Sequence, residues 1–221
     1  PLVPILHLAA GHHGGQVAVL KQAENGHARA DLSKVPADRL LSVMTRCVFN
    51  AGFNWKVIDA KWDGFEAAFE GFDPAKLAFF GEEMMDDLVS DTRIVRNGQK
   101  IRATLENARM VAEIEQSEGG FGRFLATWPA DDQVGLMHTL NTRGSRLGGA
   151  TGQYFLRFCG WDAWITSRDV CAALVREGVL DKPVATSKRD LGKVQAAINH
   201  WHAGSGLPRA AISRILALSV G

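Results

Sequence analysis

The sequence is poor in cysteine and has no long apolar run. Its 221 residues include three cysteines, Cys47, Cys159 and Cys171, with no Cys-x-x-Cys spacing. Three thiols in this arrangement argue against a disulfide scaffold and favour a reducing compartment. No apolar run reaches the length of about 18 residues that a membrane helix needs. We therefore expect a cytoplasmic protein that does not enter a membrane.

The sequence also lacks an excess of charge of either sign. Its 25 Lys and Arg residues against 24 Asp and Glu residues leave a net charge of +1 with His neutral. This balance excludes a histone-like polycation and a highly charged disordered chain. It does not exclude nucleic-acid binding, because a local basic face is compatible with a neutral total. Because 46% of the residues are hydrophobic, we expect a single compact domain over residues 1–221.

Alternating strand patterns are absent, whereas helical periodicity recurs along most of the chain. Asp73 before Pro74, and Ser187 further on, are typical helix-start signals, and residues 98–116 form an amphipathic stretch. We therefore predict an all-α fold with an N-terminal arm over residues 1–35. One further helix face is predicted by apolar residues at helical spacing: Leu40, Met44, Cys47, Val48 and Ala51.

A glycine-rich connection at about residues 136–159 has the pattern of a helix-hairpin-helix. A polar helix end reaches Arg143 and Arg146, and the chain then turns and starts a new helix near Thr151. Glycine allows backbone N–H groups to approach a phosphate closely, and a helix N-terminus adds partial positive charge. An ordinary glycine-rich helix connection is the alternative. The predicted DNA contacts at this hairpin are Arg143, Arg146, Gly148, Gly149 and Thr151.

Several short motifs upstream of the hairpin occur in a characteristic order. They are Phe49-Asn-Ala-Gly-Phe-Asn-Trp55, Phe65-Glu-Ala-Ala-Phe69, Gly71-Phe-Asp-Pro74, Ile94-Val-Arg-Asn97, Lys100-Ile101 and Asn107-Ala108. In this order and spacing the chain resembles the DNA-3-methyladenine glycosylase I family. The resemblance covers about residues 40–115 and continues more weakly through the hairpin to Val170.

The resemblance implies a helix-hairpin-helix DNA glycosylase fold, with two helical lobes around a cleft. It also implies a monofunctional DNA N-glycosylase that excises alkylated purines, chiefly 3-methyladenine, in base-excision repair. The partner is then double-stranded DNA carrying an alkylated base, and the protein is expected to act as a monomer. The damaged nucleotide must leave the base stack, because its glycosidic carbon cannot be reached within the duplex.

The resemblance assigns roles to individual positions. Trp55 matches the family's pocket tryptophan, which stacks on the base, and a π face attracts a cationic purine. Cys47 occupies the position of a family glutamate that contacts the base, and Phe49 is a further candidate base contact, although it also fits core packing. Arg96 and Lys100 lie in a segment that faces DNA in this superfamily, although solvated charge is the alternative.

The chain departs from related sequences around the expected catalytic loop. Ser167 stands where other hairpin glycosylases carry an aspartate, and Asp169, two residues later, is predicted to assist departure of the base. The alternative is that Asp169 caps a helix beginning at Val170. Because Ala150 and Thr151 replace the lysine of bifunctional members, no lyase activity is expected.

The family's zinc-site motif is also missing, since no cysteine precedes Cys47 or follows Cys171. Neither the pair His12-His13 nor His200 with His202 places two ligands on one helix face. We therefore expect no metal and no cofactor. The missing glutamate and aspartate favour a second hypothesis, a non-catalytic DNA-binding or lesion-sensing module of the same fold.

Overall fold

A computed structural model describes residues 1–24 and 31–221. These residues form α-helices and two short 3-10 turns (Leu32–Lys34 and Glu70–Phe72) without any β-strand, so the all-α prediction is confirmed for them. The predicted N-terminal arm includes residues 25–30, which lie outside the described residues. The α-helices are α1 Val3–His12, α2 Gln16–Glu24, α3 Ala37–Asn50, α4 Trp55–Ala60, α5 Trp62–Ala68, α6 Pro74–Leu77, α7 Glu82–Ser90, α8 Gly98–Glu118, α9 Phe121–Thr127, α10 Gln133–Arg143, α11 Gly149–Cys159, α12 Arg168–Arg176, α13 Lys188–Ser205 and α14 Arg209–Leu218.

Capping side chains begin several of these helices where the sequence predicts. The Asp73 carboxylate accepts hydrogen bonds from the backbone N–H groups of Ala75 and Lys76 at the start of α6. The Ser187 hydroxyl accepts one from the backbone N–H of Asp190 at the start of α13. Each bond satisfies an N–H group that lacks a partner within the helix, and both predicted start signals are confirmed.

Two compact units make up the described chain. The first contains residues 1–24, 129–137 and 156–221, and the second contains residues 31–128 and 138–155. The division falls inside α10 and α11, because both helices continue from one unit into the other. The first 24 residues, predicted as part of an N-terminal arm, form α1 and α2 of the first unit.

The first unit is built around α14, which packs against α1, α2, α12 and α13. Apolar residues of all five helices form a continuous core, and Ile5, Val19, Leu174, Ile198 and Ile212 are essentially inaccessible to solvent. Burial of this apolar surface is the main force that holds such helices together. In the part of the chain that the structure describes, no helix combines the length and hydrophobicity required to cross a membrane.

The second unit is organised by α3 and the long helix α8, which pack against each other. Trp62, Phe65, Phe69 and Phe72 stack beside α3 with nearly parallel rings. The predicted apolar face of α3 is buried with one exception: Ala51 is exposed because the helix ends at Asn50. This end of α3 lies beside the candidate functional site.

Candidate functional site

A small pocket in the second unit lies where the end of α3, the start of α4 and the first turns of α11 meet. Its volume is about 310 Å³, at the lower end of the range of about 300–1,000 Å³ that is usual for small-molecule sites. A pocket of this size suits a single base. The lining residues are Cys47, Asn50, Ala51, Gly52, Trp55, Ala150, Thr151 and Tyr154.

Trp55 is the aromatic side chain of this pocket that solvent reaches most. It is the first residue of α4, and the Asn54 side chain caps that helix by accepting a hydrogen bond from the N–H of Lys56. The indole is 39% exposed, and its ring centroid lies 6.1 Å from that of Tyr154 in an edge-to-face arrangement. The structure therefore places Trp55 where a flat ligand could stack on it.

The other two predicted base contacts occupy different environments. Cys47 lines the pocket from α3 and is 3% exposed. Phe49 is fully buried, and its ring packs edge-on against Phe65 with centroids 4.7 Å apart. The Phe49 ring therefore belongs to the core of the second unit and does not line the pocket.

Lys100, predicted to contact DNA, instead holds the C-terminal end of α3. The side chain is 5% exposed, and its ammonium donates hydrogen bonds of 2.8 Å to the Phe49 carbonyl and 2.6 Å to the Ala51 carbonyl. It also lies 4.6 Å from the centroid of the Phe53 ring. A cation at a helix C-terminus satisfies its unpaired carbonyls and opposes its partial negative charge. The predicted phosphate contact is thus corrected to a positioning role.

Burial, with the nearby charge of Arg146 as a second cause, lowers the pKa of Lys100. The two carbonyl partners offset part of that desolvation by binding the charged ammonium.

Replacement of Lys100 by methionine should lower the free energy of unfolding by about 2–4 kcal/mol, because two carbonyls lose charge-assisted hydrogen bonds. Urea denaturation measures the change. Lys56→Met, at an exposed lysine of α4, is the matched control and should stay within about 0.5 kcal/mol of the parent. Equal stability of the two variants would contradict the positioning role.

The predicted hairpin turn joins α10 to α11 and is held by a side chain from α8. The Asn107 amide nitrogen donates to the Ser145 carbonyl at 3.1 Å, and its oxygen accepts from the Ser145 N–H at 2.7 Å. A Cβ atom at Gly144 would lie 2.6 Å from the Asn107 oxygen and 2.9 Å from the Leu140 carbonyl oxygen. Only glycine fits there without displacing the amide. Asn107 appears in a sequence motif, but its role depends on this three-dimensional contact.

Replacing Asn107 by alanine should destabilise the second unit by about 2–4 kcal/mol. The Asn107 amide is fully buried, and its loss leaves the backbone N–H and carbonyl of Ser145 without their partner. Thermal and urea unfolding both report the effect. Gln116→Ala removes an exposed amide from the same helix and should be nearly neutral. A neutral Asn107 variant would show that the turn does not depend on the amide.

The predicted phosphate-contacting residues of the hairpin lie on or beside this turn. Arg143, Arg146, Gly148 and Gly149 are exposed, and Thr151 is half-buried in the pocket wall. Gly149 has a φ of 59°, a conformation favourable to glycine, and the space beside it is open. Arg146 has a φ of 57°, and its guanidinium donates to the Gln99 side chain.

Arg96 is exposed in the segment between α7 and α8, so its side chain is accessible to a ligand. The structure brings Trp55, Cys47 and Thr151 together in one pocket and places Gly149 directly before Ala150, a residue of the pocket wall.

Asp169 lies in the first unit, exposed in the first turn of α12. The interpretation of Asp169 as the helix cap is wrong, because α12 begins at Arg168 and its cap is Ser167. The Ser167 hydroxyl accepts a hydrogen bond from the Val170 N–H at 3.3 Å. A carboxylate in a first turn is favourable to the helix dipole, and a role in base departure stays a prediction.

The zinc site of the resembled family has no counterpart among the residues that the structure describes. No group of three or more His, Cys, Asp or Glu side chains in them is arranged to hold a metal ion. His202 contacts the Leu207 carbonyl through its ring Nδ1 at 2.8 Å, so one of its two nitrogens is already engaged. These residues do not fit a structural zinc, which takes four N or S ligands.

Comparisons with known sequences identify the family to which the chain is similar. The sequence model of the methyladenine glycosylase family matches residues 34–144, just over half of the chain. A curated relative, DNA-3-methyladenine glycosylase 1 of Escherichia coli (strain K12), is 37% identical over 75 residues, which is 34% of this chain. The chain spans 40% of the length of that relative.

Solved structures show a similar fold. A crystal structure of 3-methyladenine DNA glycosylase I matches with 26% identity and a TM-score of 0.50, covering 62% of this chain and 82% of the other. A tyrosine-to-phenylalanine variant of 3-methyladenine DNA glycosylase I, in complex with 3-methyladenine, matches with 23% identity and a TM-score of 0.53. That alignment covers 69% of this chain and 91% of the other. The fold predicted from the motifs is confirmed by these likenesses.

Proposed function

Because the chain belongs to the methyladenine glycosylase family, we propose that it is a monofunctional DNA N-glycosylase. Its substrate is double-stranded DNA with an alkylated purine, 3-methyladenine above others, and its role is in base-excision repair. The E. coli relative is named for this activity, and one structural neighbour was solved with 3-methyladenine bound.

One observation carries the proposal: the base-sized pocket and the hairpin turn share the first turns of α11. Ala150 and Thr151 line the pocket beside Trp55, and Gly149, which precedes them, lies at the exposed turn. A nucleotide extruded from a duplex needs its phosphate and its base held within a few ångströms of each other. A turn suited to phosphate beside a pocket suited to a base meets that requirement.

The reaction needs little acid–base assistance when the base is already cationic. Methylation at N3 places positive charge on the purine of the DNA, and Trp55 would stabilise the ring by stacking and by cation–π attraction. The C1′–N9 bond breaks with its electron pair passing to the base, which leaves as neutral 3-methyladenine. A water oxygen then bonds to C1′ and releases its proton to solvent. No lysine occupies the first turn of α11, so the product is an intact abasic strand.

The same proposal includes a monomer in a reducing cytoplasm. All three cysteines are buried and none is paired in a disulfide, which supports a reducing compartment.

The direct test is release of free 3-methyladenine from methylated duplex DNA by the purified protein, with Trp55→Ala alongside. We expect release that depends on enzyme and on Trp55. Salt-dependent duplex binding without release would favour the second candidate, a lesion-sensing module. Cys47 supports that candidate, because its thiol cannot replace the charge of the family glutamate. Absence of both release and duplex binding would contradict both functions.

A further inference from the structure

Asn50, which lines the pocket just described, has a buried side-chain amide without a hydrogen-bond partner. It is the last residue of α3, is 4% exposed and lines the pocket with Trp55 and Cys47. Its amide nitrogen and oxygen are both buried and both lack a hydrogen-bond partner. Among the side chains of residues 1–24 and 31–221, no other buried nitrogen or oxygen lacks a hydrogen-bond partner.

This state is unfavourable for folding. A buried polar group without a partner forfeits its hydration and gains nothing in return. Other buried amides of the protein avoid it: Gln133 accepts from the Trp164 N–H at 2.8 Å and donates to the Trp164 carbonyl at 2.8 Å. An unpaired amide in the wall of a pocket therefore requires an explanation. A role in binding a ligand with complementary hydrogen-bonding groups supplies one.

Surrounding contacts fix the backbone of Asn50 in place. Lys100 binds the carbonyls on either side of it, those of Phe49 and Ala51. The carbonyl of Asn50 itself accepts a hydrogen bond from the Phe53 N–H at 3.0 Å. A residue anchored on both sides loses little conformational entropy on binding a ligand, which is the condition for a preorganised contact.

We propose that Asn50 recognises the N6/N7 edge of an adenine-type base in this pocket. Its amide oxygen accepts from the N6 amino group, and its amide nitrogen donates to N7, the paired contact that asparagine makes with adenine. A methyl group at N3 lies on the opposite edge and leaves this pair intact. The inference rests on the proposed function and names the residue that selects the base.

The rest of the pocket lining makes this pair the main source of selectivity. Its side chains include no Asp, Glu, Lys or Arg, so recognition rests on hydrogen-bond pattern and stacking more than on charge. A base without the amino group at position 6 offers no donor to the Asn50 oxygen and loses one of the two bonds. The pocket should therefore prefer 3-methyladenine to 3-methylpurine, which carries hydrogen in place of that amino group and is otherwise identical.

Calorimetric titration of the whole protein with these two free bases tests the proposal. The parent protein should bind 3-methyladenine about 10- to 100-fold more tightly than 3-methylpurine, the discrimination typical of a paired contact. Asn50→Leu and Asn50→Ala should bind both bases alike. Because Asn50→Leu also removes an unpaired buried amide, its thermal midpoint should rise by about 2–4 °C.

Gln133→Leu is the matched control, since it removes a buried amide whose bonds are satisfied. It should lower the thermal midpoint and keep the preference for 3-methyladenine. Persistence of the preference in both Asn50 variants, or failure of the parent protein to discriminate, would overturn the proposal. If the parent protein binds with the expected preference but releases no base from DNA, the proposed function fails and the role of Asn50 stands. If the parent protein releases base from DNA while the Asn50 variants keep the preference, the proposed function stands and the role of Asn50 fails.

Discussion

Replacement of Trp55 by alanine is expected to lower the rate of 3-methyladenine release by about 100-fold. Stacking on an aromatic ring contributes about 1–3 kcal/mol per base, and cation–π attraction adds to it when the base is charged. The indole is the most exposed aromatic surface of the pocket lining, so it offers the largest face for stacking. Release of labelled base from methylated duplex DNA under single-turnover conditions measures the loss.

The same variant should bind undamaged duplex DNA nearly as well as the parent protein does, because the proposed phosphate contacts lie at the hairpin and not at Trp55. Two further variants separate stacking from general effects. Trp55→Phe keeps an aromatic face and should retain more activity than Trp55→Ala. Phe79→Ala removes a ring that is 87% exposed and outside the pocket, and should leave release unchanged. Full turnover by Trp55→Ala would show that the base binds elsewhere.

An acidic substitution at Gly149 is expected to have the second large effect, which is weaker binding to duplex DNA whether or not the DNA is damaged. Asparagine and aspartate both tolerate the left-handed backbone at this position and differ only in charge. Because the space beside Gly149 is open, neither side chain meets a steric barrier. At low salt Gly149→Asp should bind duplex DNA about tenfold more weakly than Gly149→Asn, since its carboxylate repels the phosphate and opposes the N-terminal dipole of α11.

The salt dependence of binding gives this comparison its sharpest readout. One phosphate contact fewer should make the slope of log K against log salt shallower by about one in Gly149→Asp. The rate at which base is released from DNA that is already bound should differ between the two variants much less than their affinities do. Identical affinities and slopes for the two variants would mean that no phosphate binds at the turn, and the hairpin would then be only a helix connection.

The two proposals describe a pocket that differs from that of the resembled family. The resemblance aligns Cys47 with the family's glutamate, and Cys47 lines the pocket in the structure. A polar alternative in the wall is Asn50, a neutral group that donates as well as accepts. Recognition by the hydrogen bonds of a neutral amide is sufficient for a base whose own positive charge already favours cleavage of the glycosidic bond.

Much of the fold follows from local features of the sequence. Helix-start signals at Asp73 and Ser187 act through hydrogen bonds to N–H groups two or three residues away, so neighbouring residues suffice to predict them. The spacing of apolar residues along α3 and α8 likewise indicates which face of each helix is buried. Family motifs around Trp55 predicted both family and pocket tryptophan, and the family assignment is confirmed.

Other residues were misassigned because their roles depend on contacts distant in sequence. Lys100 is a basic residue in a basic segment, and only the approach of α3 shows that its ammonium is bound by carbonyls about 50 positions earlier. Ser167 and Asp169 both suit a helix start, and a difference of two residues in where α12 begins, Arg168 instead of Val170, decided which of them caps it.

The sequence by itself thus determined the helical class, the family and the tryptophan of the pocket, since each depends on local pattern or on motif order. Tertiary structure alone decided that Asn107 holds the hairpin turn, that Lys100 fixes the end of α3 and that the Asn50 amide is unpaired. The physical reason is that whether a polar group is satisfied depends on which distant atoms pack around it. No spacing along the chain records that environment.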